Sequence, residues 1–71
     1  MSDDAAERAQ VMQRIARMAN TVPVKQYQAW SASRAAEFKA ACTKARKVLA
    51  KSNVSTSELR SVESQMQAFW A

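Results

Sequence analysis

RAAEFKAACTKARKVLAK, residues 34–51, is the longest regular stretch of the sequence, and the other elements are placed relative to it. Phe38, Ala41, Cys42, Ala45, Val48 and Leu49 recur at the i, i+3, i+4, i+7 spacing that lines one side of an α-helix. Lys39, Lys44, Arg46, Lys47 and Lys51 fall on the opposite half of the wheel. One face is apolar and the other cationic. Phe38, Val48 and Leu49 carry the area worth burying, while the alanines raise helix propensity and let a neighbour approach closely. A single amphipathic helix is marginal in water, so this one requires partners from the rest of the chain.

On its N-terminal side lies KQYQAWSAS, residues 25–33. If the helix starts near Lys25, Tyr27 and Trp30 extend the Phe38 stripe and Arg34 falls within it, where a guanidinium needs a partner or an exit to water. If it starts after Ser31 or Ser33, either serine is its N-cap and Tyr27 to Trp30 form a separate turn. The first reading, one helix over about 25–51 bent near 31–33, is the expectation carried forward. On the C-terminal side Asn53 closes the helix, and Ser55-Thr56-Ser57-Glu58 opens another with a capping box, serine and glutamate satisfying free backbone N–H groups reciprocally. Leu59, Val62, Met66, Phe69 and Trp70 form the stripe of that helix, residues 55–70.

Upstream, Val11, Met12, Ile15, Met18 and Ala19 mark a helix over 3–19. Ser2 is its expected N-cap, Asp3, Asp4 and Glu7 put negative charge at the positive end of its dipole, and Asn20 is its expected left-handed terminal residue. Thr21 to Val24 form the linker, with Pro23 biasing Val22 towards extended geometry. Three apolar stripes joined by short loops predict one all-α domain over residues 1–71, a small three-helix bundle.

Composition supports this class and argues against most chemistry. No glycine and one proline in 71 residues are hard to reconcile with the tight turns of an all-β chain. The single cysteine, Cys42, permits no intrachain disulfide, and without histidine a zinc site lacks ligands, so neither a metal nor another cofactor is expected. The acids stand at the ends or, as Glu37, alone, leaving no acid/base pair and no expected catalytic residue. Cys42 sits among alanines on the apolar face and reads as a small core hydrophobe, not a reactive thiol. MSDDAAERAQ lacks the basic and apolar regions of a signal peptide, and no apolar run approaches the roughly 18 residues of a membrane span. The expectation is a cytoplasmic protein without membrane insertion.

Charge and aromatics remain. The chain carries +5 overall, but residues 8–51 hold ten Lys/Arg against one acid, Glu37, a net +9. Tyr27, Trp30, Phe69 and Trp70 are a large set for so small a core, and Trp and Tyr are frequent interface hot spots. Phe69 reads as core; Trp30 and Trp70 fit core and interface equally well. The leading expectation is a non-enzymatic binding protein: an adaptor, a chaperone-like factor or a phage or mobile-element inhibitor of a host protein. Lys39, Lys44, Arg46, Lys47 and Lys51 would attract an acidic protein partner, and Tyr27, Trp30 and Arg34 would make the close contacts. The alternative is a non-specific nucleic-acid binder using the same basic face. Base reading by the last helix is disfavoured, because Arg60 stands there against Glu58 and Glu63.

Trp30, Ser31 and Ser33, then Phe38, Ala41, Ala45, Val48 and Leu49, then Ser55, Thr56, Glu58, Leu59, Val62 and Met66 follow a pattern that resembles the FIVAR-type module of bacterial surface proteins. Arg34 stands where that family usually has an aromatic. The resemblance spans residues 30–70 and implies a three-helix fold with a structural or spacer role. A shorter string, Lys25-Gln26-Tyr27-Gln28-Ala29-Trp30, is similar to one in the small helical co-chaperones of type III secretion needles.

Overall fold

Extended backbone at Trp30 (φ −79°, ψ 148°) and Ser31 (φ −69°, ψ 165°) divides the expected second helix in two. The computed structural model of the chain describes residues 3–71, with the backbone alone for residue 3. Its helices are α1 (Asp3–Ala19), α2 (Val24–Ala29), α3 (Ala32–Leu49) and α4 (Thr56–Gln67), the last running into a 3₁₀ turn at Ala68–Trp70. Among the described residues there is no strand, and the fold is the small all-α bundle that the stripes predict.

The continuous helix over 25–51 is therefore corrected to two helices, for a local reason. Ser31 Oγ accepts the Arg34 backbone N–H at 3.1 Å, so the serine caps α3 where it would otherwise continue α2. At the other end α3 stops at Leu49, where Ala50 N–H donates to the Arg46 carbonyl and Lys51 N–H to that of Val48. Half of the expected capping box forms: Ser55 Oγ accepts the Glu58 N–H at 3.1 Å, but the Glu58 carboxylate turns to Lys51 Nζ at 2.8 Å. Asn20 does not take the expected left-handed conformation, since no non-glycine residue among those described has positive φ. Its Nδ2 instead donates to the Ala16 carbonyl at 2.8 Å. The expected cap at Ser2 lies outside the described residues.

Side-chain pairs between helices fix their directions. Lys44 faces Gln65 and Lys51 faces Glu58, so α3 and α4 run antiparallel. Glu7 pairs with Arg60 and Arg14 with Glu63, so α1 and α4 run parallel. The three long helices thus go up, down and up around one core. Ile15 from α1, Ala45 from α3, and Leu59 and Met66 from α4 are fully buried at its centre. No described residue before Val11 is fully buried, so the first turns of α1 project from the bundle, braced by Glu7–Arg60. That overhang helps to give a molecule of 45 × 19 × 16 Å, whose radius of gyration is 12.9 Å. A compact chain of this length would have one of about 11 Å.

All five aromatic rings of the chain gather at one end. Trp30 lies 5.5 Å from Tyr27, 5.3 Å from Phe38 and 5.5 Å from Phe69, and Phe38 lies 5.3 Å from Phe69 and 5.8 Å from Trp70. The extended pair Trp30-Ser31 lets one indole reach both Phe38 on α3 and Phe69 on the 3₁₀ turn.

Candidate partner-binding surface

The five cations expected to form one basic face are not equivalent in the fold. Arg46 Nη2 donates to the Ala19 carbonyl at 2.8 Å, placing a positive charge on the last carbonyls of α1, where the helix dipole is negative. Lys51 is ion-paired to Glu58, and Lys44 leans across to Gln65 Oε1 at 3.5 Å. Lys39 and Lys47 are exposed and make no ion pair or side-chain hydrogen bond among the described residues. Lys39 and Arg46 are two turns apart on the side of α3 nearest the end of α1, whereas Lys44 and Lys51 lie towards α4.

The three expected close-contact residues do come together, at the aromatic end. Trp30 is half-buried among the other rings. Arg34 escapes the problem of a charge in an apolar stripe in two ways. Its guanidinium stacks 4.1 Å from the Phe69 ring centre, and its Nη1 pairs with Glu37 Oε1 at 3.0 Å. Arg34 is thus largely engaged within the fold. Tyr27 stays 46% exposed.

Tyr27 belongs to a surface that periodicity does not reveal. Val22 (49%), Val24 (62%) and Tyr27 are the exposed large hydrophobics among the described residues, and all three fall within six consecutive positions. Val24 and Tyr27, three apart on α2, share a face. α2 buries none of its residues; the Gln26 Nε2 bond to the Trp70 carbonyl (3.0 Å) and the Tyr27–Trp30 ring contact hold it to the bundle. Val22 and Val24 stand in what reads as a linker, and the one signal in the sequence is their chemistry: linkers are usually polar, and these are β-branched apolar residues flanking a proline. Lys25 is exposed beside them.

Between the end of α1 and the flank of α3 lies a cleft of about 460 Å³, with Val22 and Lys39 at its margin and Phe38 and Cys42 in its wall. Cys42 is buried, as expected of a core residue. Burial pushes its thiol above the ordinary value of 9.0, and the Arg46 charge draws it part of the way back. The described residues contain no cluster of His, Cys, Asp and Glu able to hold a metal ion. They also contain no helix long and apolar enough to cross a membrane.

No protein-family model matches the chain, and no curated protein or solved structure matches it either.

Proposed function

We propose that this chain is a non-enzymatic binding module that docks an acidic protein partner through α2 and the loop before it, steered by the cations around them. The observation that carries this reading is the exposed apolar run Val22, Val24 and Tyr27, which spans the loop before α2 and the helix itself, none of whose residues is buried. Apolar surface concentrated in this way marks contact sites, whereas scattered exposed hydrophobics need no explanation.

Charge supports it. Each of the four glutamates is ion-paired, to Arg34, Lys51, Arg14 and Arg60. Eleven Lys/Arg less these four leaves seven without a carboxylate partner among the described residues, including Lys25, Lys39 and Lys47. Such a field raises association rates with an acidic partner and weakens with salt. An adaptor, a chaperone-like factor or an inhibitor of a host protein all use a surface of this kind.

The test is capture from a lysate of the native host with the wild-type chain and with Val24→Asp/Tyr27→Ala, each with and without nuclease. The expected result is an acidic protein that survives nuclease on the wild type and is lost on the double variant. Equal capture by both chains overturns the reading. The same seven cations also favour a second reading, non-specific binding to nucleic-acid phosphates. Material that disappears with nuclease, and with added salt, supports that one instead.

A further inference from the structure

The exposed run over α2 and the loop before it reaches the cleft, because Val22 belongs to both. One wall of the cleft is the end of α1 with the following loop, and the other is a flank of α3. Its lining is mixed: Ala19, Val22, Phe38 and Cys42 contribute apolar atoms, an asparagine and two threonines contribute polar ones, and Lys39 and Arg46 supply two positive charges with no acid among the lining residues. A guanidinium has five N–H donors, so the Arg46 bond to the Ala19 carbonyl leaves others for a carboxylate. At about 460 Å³ the cleft, open to solvent on one side, lies within the roughly 300–1,000 Å³ of small-ligand sites and is large enough for one side chain.

We infer that the cleft receives one apolar side chain of an acidic peptide segment, whose adjacent carboxylate is held by Lys39 and Arg46. This inference rests on the docking function proposed above and names the chemistry of the partner. The flanking peptide runs over Val22, Val24 and Tyr27. A small free acid would fill the cleft and leave that apolar run uncovered, whereas a peptide covers both. A second copy of this chain would bring its own +9 segment against this one, and like charges facing each other oppose association.

The test titrates the full-length ¹⁵N-labelled chain with short acetylated and amidated peptides, followed by amide chemical shifts. One peptide places a leucine between glutamates. A second replaces the leucine with alanine, and a third replaces the glutamates with glutamines. The leucine–glutamate peptide is expected to move the amides of residues 19–22 and 39–46 and to bind about tenfold more tightly than either control. Thr43→Trp, at an exposed position on the cleft wall, is expected to weaken it by about tenfold, with the far-UV spectrum unchanged to show that the bundle is intact. If Val24→Asp weakens that peptide and Thr43→Trp does not, the docking surface survives and the cleft inference falls. If neither variant changes the affinity, or no peptide moves these amides, the inference is overturned. It is overturned equally if 4-phenylbutyrate binds the same amides as tightly as the peptide, since the site would then take small acids.

Discussion

Replacing Phe38 with alanine measures how far the aromatic end holds the bundle together. Phe38 is 5% exposed and its ring lies within 6 Å of three others, those of Trp30 (5.3 Å), Phe69 (5.3 Å) and Trp70 (5.8 Å). Truncating a buried phenylalanine to alanine costs about 3–5 kcal/mol, and aromatic pairs add about 0.5–1.5 kcal/mol each beyond the area they bury. With three pairs lost together, the upper part of that range applies, about 4–5 kcal/mol. At about 0.05–0.15 kcal/mol per residue, a chain of 71 residues has roughly 4–11 kcal/mol of stability in total. The variant is therefore expected to be largely unfolded or left with a small margin. Phe38→Leu keeps most of the volume and loses the ring pairs, so its expected cost is smaller, about 1–2 kcal/mol. Urea titration followed by far-UV circular dichroism and by tryptophan fluorescence measures both, since Trp30 and Trp70 flank the altered site. A loss below about 1 kcal/mol for Phe38→Ala, or equal losses for the two variants, would refute the account of the aromatic end as an anchor.

Three further outcomes follow from named contacts. Ser31→Ala removes the cap of α3 and should cost about 1 kcal/mol in the same urea assay, while Ser33→Ala, one turn residue inside the helix, should stay within about 0.5 kcal/mol of wild type. Arg46→Gln should cost about 1–2 kcal/mol through its lost charge-assisted bond to the Ala19 carbonyl, and Lys47→Gln should leave the urea midpoint almost unchanged. Because burial raises the Cys42 pKa, the unfolded thiol ionises first; its share of the stability is complete below the unfolded value, near pH 8.5–9, and is lost as pH rises through the folded value. The alkaline decline in stability, measured by urea melts across that range, should accordingly be shallower in Cys42→Ala than in wild type.

The three long stripes were legible because burial imposes a period on them. Val11, Ile15 and Ala19 line the core as their spacing requires, and so do Phe38, Cys42, Ala45 and Val48. The break at Trp30-Ser31 was not legible, since the apolar spacing from Tyr27 to Phe38 passes across it undisturbed and Ser31 and Ser33 are equally good caps. Tertiary packing decides between them: capping at Ser31 puts the Trp30 indole between Phe38 and Phe69, a choice that depends on residues almost forty positions away. The partners of the basic face were not legible for a related reason: Lys39, Lys44, Arg46, Lys47 and Lys51 are all exposed, as the wheel predicts. A helical wheel assigns Lys51 and Arg46 to the outside without knowing that Glu58 and the end of α1 arrive beside them.

Most positions of the pattern that resembles FIVAR-type modules have a role within the fold. Phe38, Ala45, Val48, Leu59, Val62 and Met66 are buried, and Ser31 and Ser55 are caps. Such positions constrain how helices pack and say little about what the surface meets. The proposed docking surface lies mainly elsewhere: Val22, Val24 and Tyr27 precede the pattern, and Lys39 and Arg46 fall between its positions on the flank of α3. Since every glutamate is drawn into pairs on α3, α4 and the α1–α4 seam, the charge left around the exposed apolar run is positive. Lys25 within that run, and Lys39 and Arg46 in the cleft that Val22 also lines, set positive charge beside the apolar surface, which is the complement of the acidic partner with an apolar anchor proposed above.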